Sequence, residues 1–222
     1  MNIKNITSHQ DRSLIMQLKG FEPKLIFDIG ANQGESVHRF KRLWSDCPIV
    51  SFEPRVTAFR MLEEVAKEYS GVTCFNFALG ETDGPTEMSE ILDDNSLHGG
   101  RSTFLEYVDL PPKHSVFKCP VMMKRFDEFA HIYPAQPGIF IKLDCEGYEK
   151  HVIDGGKEMI SRAHACLIEV NLNDKYKKDQ TRPEDIATRM RDLGFKRSGP
   201  TRRVMRGASK VVLWQDELWI KK

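Results

Sequence analysis

Five short apolar runs punctuate the 222-residue chain, and each closes on or beside a polar side chain. Lys24–Gly30 carries Asp28 near its end, Pro48–Glu53 stops at Glu53, and Val72–Phe77 contains Asn76. Gly138–Asp144 stops at Asp144, and Ala163–Val170 carries Glu169. Apolar runs of this length, without strict alternation, are those of parallel strands covered on both faces. Between them, Gly34–Trp44 spaces Val37, Phe40, Leu43 and Trp44 as one helical face, and Thr57–Tyr69 does the same with Phe59, Leu62, Val65 and Ala66. Further helices are expected over Tyr148–Asp154, Lys157–Ser161 and Pro183–Leu193, with Phe195 opening a sixth strand and Val211–Ile220 forming the last. Strands that alternate with helices pair in parallel through crossover connections. The expected fold class is therefore α/β: a doubly wound, mostly parallel seven-stranded sheet.

The alternation pauses after strand three. Residues 81–125 read as a β-rich insertion between strands three and four, with strands over Thr86–Leu92 and Val116–Lys124 and a polar loop between them. It is too short for a core of its own. Residues 1–222 are expected to form one domain, with 1–23 as a lead-in and 81–125 lying over the active site. Asp127 is expected to cap a short helix. Hydrophobic residues make up 40% of the chain and charged residues 29%, which suits a globular core. No stretch reaches the roughly 20 apolar residues of a membrane span. Met1–Gly20 lacks the apolar centre of a signal peptide, so a cytoplasmic location is expected. Five cysteines at wide spacing, none in a CxxC pair, read as small buried thiols.

The turn after strand one, Asp28-Ile-Gly30-Ala-Asn32-Gln33-Gly34, has the order of a nucleotide-type ligand site: buried strand, glycine turn, helix start. Its spacing is Gly-x-x-x-Gly. The middle glycine that lets a pyrophosphate approach is missing, and Asp28 would repel that group. A cationic sulfonium with an amino-acid tail suits the turn better. Glu53 stands at the end of strand two, where such folds place the carboxylate that accepts the ribose hydroxyls.

Ile141-Lys142-Leu143-Asp144-Cys145-Glu146-Gly147-Tyr148-Glu149, followed by Val152-Ile153-Asp154-Gly155-Gly156, resembles the signature of the FkbM-type methyltransferases, a class I, Rossmann-like family that uses S-adenosyl-L-methionine (SAM). The resemblance extends to the Asp28–Gly34 turn, Ser51–Pro54, Asn76–Gly80, Arg125–Phe129 and Ile168–Val170, in that order along the chain. It implies that Asp28, Gly30 and Gly34 hold the SAM tail while Asn32 and Gln33 shape the turn. It further implies that Glu53 binds the ribose, Pro54 and Arg55 sit beside the adenosine, and Asn76, Phe77 and Ala78 border the adenine. Asp144 would face the methyl-bearing centre.

The expected reaction is SAM-dependent O-methylation of a hydroxyl on a small molecule or glycan, with Asp144 or Glu146 as general base. Crowding among Asp144, Glu146, Glu149 and Glu169 would raise one another's proton affinity. The reading names no metal, although Asp144, Glu146 and Glu169 are hard oxygen ligands that could share one. His98, beside Gly99-Gly100 in the insertion, is a further catalytic candidate. Charge is uneven: residues 150–222 carry 17 basic and 10 acidic side chains, whereas the whole chain is only +1. Lys196–Lys210 contains no acid and is expected to be a loop between strands six and seven, in which Arg202, Arg203 and Arg206 would attract an anionic acceptor. Nucleic acid is not the expected partner, since aromatic residues are sparse in that stretch. N- or RNA methylation, a non-catalytic SAM-binding protein of the same fold, and an NAD-dependent oxidoreductase remain open alternatives.

Overall fold

The computed structural model describes residues 8–93, 101–108, 114–206 and 211–222. Seven strands form the central sheet: β1 (Leu25–Ile29), β2 (Ile49–Phe52), β3 (Val72–Phe75), β8 (Ile139–Leu143), β9 (Ala165–Asn171), β10 (Phe195–Arg206) and β11 (Val211–Lys221). Their order across the sheet is β10-β11-β9-β8-β1-β2-β3. The contacts β3–β2–β1–β8–β9 are parallel, and β11 runs antiparallel to both β9 and β10. The chain leaves β1 for β2 on one side and returns to β8 on the other, so the connections part above the β1–β8 seam, where open α/β sheets place their ligands.

Helices cover both faces. α1 (His9–Leu18), α2 (Glu35–Leu43) and α3 (Val56–Lys67) supply Leu14, Phe40 and Leu62 to one face, over Ile26, Phe140 and Leu167 of the strands. α4 (Glu149–Asp154), α5 (Lys157–Ser161) and α6 (Pro183–Asp192) cover the other, where Val152, Ile160 and Met190 meet Phe27, Ile141 and Ile168. Odd- and even-numbered residues of β1 and β8 therefore serve opposite layers. That alternation sends Asp28 and Lys142, which face each other in register, to the α1–α2 side.

The insertion builds a second, four-stranded sheet. β5 (Gly84–Asp93) and β7 (His114–Arg125) contain the two expected strands, and β6 (Arg101–Thr103) falls in the stretch expected to be polar loop. β4 (Ala78–Gly80) joins this sheet too, paired in parallel with β7, so the apolar run beginning at Val72 is broken at Asn76-Phe77 and serves two sheets. Gly155 explains how closely the sheet and α4 fit: a Cβ there would lie 1.8 Å from the Gly80 carbonyl oxygen. Asp127 does not cap the 3-10 turn Phe126–Phe129; its carboxylate accepts from the Met159 N–H at 2.9 Å and so holds the start of α5.

Within the lead-in, α1 buries Leu14 and Leu18 in the core, and Asp11, itself buried, pairs with Arg39 at 2.6 Å and Arg42 at 3.1 Å of α2. Polar residues dominate the rest of α1, which hides its apolar stripe from a periodicity reading. The basic stretch 196–210 is largely not a loop. Residues up to Arg206 belong to the edge strand β10, and charged side chains on such an edge discourage pairing with other chains. Among the described residues, no helix is long and apolar enough to cross a membrane. The five cysteines are all free.

If α1 belongs to the core, Leu14→Ala should cost about 2–5 kcal/mol, the usual range for truncating a fully buried leucine. Urea denaturation of the variant measures this; a loss below about 0.5 kcal/mol, typical of a surface change, would return α1 to the periphery.

Candidate active site

The site begins with a turn that only glycine can make. Gly30 has φ +78°, and a Cβ on it would lie 1.9 Å from the Asp144 carbonyl oxygen. The ends of β1 and β8 thus touch backbone to backbone, and the Asp144 N–H donates to the Ile29 carbonyl at 3.1 Å. Two further bonds, from Gly30 and Ala31 N–H to the Phe52 carbonyl at 3.0 Å each, bind the turn to β2. Gly34 meets a different demand. A Cβ there would press to 3.0 Å from Val65, so its smallness lets α2 pack on α3. Gln33, between the two glycines in sequence, is half-buried.

Below the turn lies an ion network. Asp28 is fully buried, accepts a short hydrogen bond from the Ser36 hydroxyl and pairs with the Lys142 ammonium at 3.3 Å. Lys142 also reaches Asp144 at 3.4 Å and donates to the Gly30 carbonyl at 3.2 Å. Burial alone would push the Lys142 ammonium towards losing its proton, but Asp144 and Asp28 together hold its pKa above the ordinary lysine value. Asp28 therefore shapes the turn from beneath, whereas Asp144 stands at its rim.

Two lobes of a crevice meet at Gly30, Asn32 and Asp144. The first, about 250 Å³, runs towards β2 and the second sheet; Glu53, Pro54, Arg55, Phe77 and Ala78 line it, with Met88 and Phe104 from the insertion. Glu53 is almost wholly buried. One of its carboxylate oxygens accepts from the Asn32 N–H and the other from the Arg55 N–H, both at 2.9 Å. Burial raises the Glu53 pKa, against the lowering effect of Arg55, whose guanidinium lies 3.5 Å away. Arg55 is itself engaged, by Glu90 at 3.2 Å and by the Asn32 side chain. Asn76 does not reach the lobe's lining: its amide donates to the Glu53 and Pro54 carbonyls at 2.8 and 3.0 Å, pinning the end of β2.

The second lobe, about 380 Å³, opens on the α1–α2 side, between Gln10, Arg39 and Lys142 and the strand residues Glu169, Arg202 and Asp216. Of these, the sequence marks Lys142 within the strand-end motif, Glu169 and Arg202. Gln10, Arg39 and Asp216 carried no motif, although two acids and a glutamine in a row at Gln215–Glu217, inside an otherwise apolar strand, were a visible signal.

The Asp144–Glu149 segment separates the roles of its acids. Glu146 (φ +52°) and Gly147 (φ +93°) are both left-handed, and the buried Glu149 carboxylate accepts from the Cys145 and Gly147 N–H groups at 2.9 and 3.1 Å. Burial pushes the Glu149 pKa up to about 7 in spite of those bonds. Glu146 is no cap. It faces the first lobe, paired with the Lys175 ammonium and accepting from the Tyr176 hydroxyl at 3.2 Å. Among the described residues, no three His, Cys, Asp or Glu side chains are grouped to hold a metal ion. The basic trio is divided. Arg202 lies over the Trp214 ring at 4.5 Å and lines the second lobe, while Arg203 donates to Gln215 at 3.2 Å. His98 lies outside the described residues, as does the side chain of Arg206.

A seven-stranded α/β sheet in this order, with a carboxylate at the end of β2 and a crevice over the β1–β8 seam, defines the class I methyltransferase architecture. Many solved structures share this fold, among them the following three. A putative S-adenosylmethionine-dependent methyltransferase from Listeria monocytogenes is 7% identical with a TM-score of 0.54, covering 96% of this chain and 98% of its own. Precorrin-6y C5,15-methyltransferase from Geobacter metallireducens is 12% identical (0.50; 98% and 91%), as is 1,6-didemethyltoxoflavin-N1-methyltransferase from Burkholderia thailandensis (0.50; 99% and 80%). At such identities the likeness is one of fold. No curated protein matches the chain in sequence. The Methyltransferase FkbM domain matches residues 28–197, and the chain belongs to that family of SAM-dependent methyltransferases.

Glu149 gives the turn a pH signature. Between its ordinary value of 4.5 and about 7 the folded protein binds more protons here than the unfolded chain, so this group's stabilisation is complete below pH 4.5 and lost as pH rises through 7. Glu149→Gln keeps an acceptor without the charge. Relative to wild type it should gain stability as pH rises from 4.5 to 7.5, by up to about 3 kcal/mol. Melting curves of the two proteins across that range decide it, and a constant difference would show that Glu149 does not titrate there.

Proposed function

We propose that this protein transfers a methyl group from SAM to a hydroxyl oxygen of a small molecule or glycan. The observation that carries the reading is the pairing, in one lobe, of a buried carboxylate with an apolar wall. Glu53 spends one lone pair of each oxygen on a backbone N–H, and a carboxylate has about four such sites. Those remaining suit the two hydroxyls of a ribose. Phe77, Ala78 and Met88 offer the apolar surface that a flat adenine requires. A pyrophosphate would meet Glu53 and Asp144 at the mouth and find no glycine at position 32, which disfavours a dinucleotide.

The residues that would hold the donor are Glu53 at the ribose, Phe77 and Ala78 at the base, and the Gly30–Asn32 backbone with Asp144 at the amino-acid end. Bound there, SAM supplies an electrophilic methyl group on a cationic sulfur. The chain's own contribution is alignment and a proton acceptor. Asp144 lines both lobes and so stands where donor and acceptor meet, whereas Glu146 lines only the first and is held by Lys175 and Tyr176. Asp144 is therefore assigned as the group that receives the hydroxyl proton, with Lys142 fixing its carboxylate. Glu146 is assigned to holding the insertion against the site, since its carbonyl also accepts from Thr103 at 3.1 Å.

Glu53→Ala should weaken SAM binding about 10–100-fold, the effect of losing charge-assisted hydrogen bonds, as measured by isothermal titration. With an acceptor found by a labelled-methyl screen of sugars, nucleotides and glycans, Asp144→Asn should lower kcat about 10²–10⁴-fold, and Glu146→Gln by less than about tenfold. Near-normal turnover in both variants would remove the carboxylate base from the mechanism.

A further inference from the structure

The second lobe carries a row of ionisable side chains that neither the donor nor the core requires. β9 and β11 place Glu169 and Asp216 directly opposite each other, and β11 and β10 do the same for Asp216 and Arg202. Because Leu143 pairs with Ile168, Asp144 stands abreast of Glu169, so the row crosses four strands at the edge of the crevice. Two carboxyl groups opposite each other in an antiparallel pair repel, and a fold with no use for them would carry apolar residues there. Among the described residues, the Glu169 side chain takes part in no hydrogen bond or ion pair. Asp216 is 8% exposed and accepts from the Gln10 amide at 2.8 Å. The Nη2 atom of Arg39, on the same lobe, is buried with no hydrogen-bond partner.

The local charge is closely balanced. Lys142 is matched by Asp28 and Asp144, Arg39 shares Asp11 with Arg42, and Arg202 stands opposite Asp216 across the β10–β11 pair. Burial and neighbouring acids raise the Glu169 pKa far above the carboxylate range, and burial lifts Asp216 to about 6. At neutral pH the row thus offers a carboxylic acid that donates beside a carboxylate that accepts, a mixed pair suited to hydroxyl groups. An added phosphate or carboxylate would face the Asp144 and Asp216 carboxylates.

We infer that this lobe is the acceptor's seat, and that it takes a neutral, hydroxyl-rich ligand of about the size of one sugar ring, recognised by Glu169, Asp216 and Gln10. The inference rests on the donor occupying the first lobe, as proposed above. Its volume of about 380 Å³ is within the usual range for small-molecule sites. Glu169 and Asp216 act as specificity residues here, holding the ring while Asp144 faces the hydroxyl to be methylated.

The test uses the full chain saturated with S-adenosylhomocysteine and two probes, methyl α-glucopyranoside and glucose 6-phosphate, read by saturation-transfer NMR and calorimetry. The glucoside should bind, and the phosphate should bind about tenfold more weakly or worse. Glu169→Leu and Asp216→Ala should each weaken glucoside binding by about tenfold, as expected for a lost hydrogen bond, while Glu169→Gln, which keeps a donor and an acceptor, should stay within about threefold. Affinity for S-adenosylhomocysteine should be unchanged in all three. Absent glucoside binding by a protein that binds S-adenosylhomocysteine, or tighter binding of the phosphate, overturns the inference alone. Loss of S-adenosylhomocysteine affinity in Glu169→Leu would assign the lobe to the donor and overturn it as well. A wild-type protein that does not bind S-adenosylhomocysteine overturns both this inference and the donor reading beneath it.

Discussion

Contact between the ends of β1 and β8 governs everything built above the sheet. Gly30 lies so close to the Asp144 carbonyl that no side chain fits, and Lys142 sits beneath with Asp28 and Asp144 as its counter-ions. An ammonium this buried would be unstable alone, and so would the fully buried Asp28. Together they neutralise each other and fix the height of the turn, because Lys142 also bonds the Gly30 carbonyl. The two lobes of the crevice exist because this seam stands between them. Asn32 and Asp144 belong to both for the same reason.

The second sheet determines what the first lobe is like inside. β4 leaves the main sheet two residues after β3, and its pairing with β7 carries Met88, Thr103 and Phe104 over the crevice. Phe104 packs on Tyr148 with ring centroids 4.8 Å apart, and the Thr103 hydroxyl donates to the Glu146 carbonyl. The wall of the lobe is thus bonded to the same turn that bears Asp144. Movement of one would be felt by the other.

Much of this was legible in the sequence because strand ends and crossover helices obey local rules. The apolar runs located β1, β2, β8 and β9, and the acids at their ends lie on the edge of the sheet where the crevice opens. What was not legible depended on which way a side chain turns. Asp28 reads as a ligand group, yet the alternation of β1 sends it under α2. Glu146 and Glu149 look equivalent along the chain, but two left-handed residues between Asp144 and Tyr148 point one at the crevice and the other at backbone amides. Arg202 and Arg203 are neighbours in sequence and part company on a strand. Short β6 and the sparsely apolar α1 carry too little pattern to be seen without their tertiary partners.

The place of β11 has a further consequence, for the order in which the molecule can be assembled. β10 touches the rest of the sheet only through β11, which is made after it and slots between it and β9. During synthesis, Phe195–Arg206 must therefore wait without a strand partner until Val211–Lys221 has emerged, and Leu218 and Trp219, fully buried in the finished protein, close opposite layers of the core together. Such late, long-range closure delays cooperative folding until the final strand arrives. The same strand brings Asp216 to the crevice, so that side of the site cannot be assembled on a nascent chain whose core is still open.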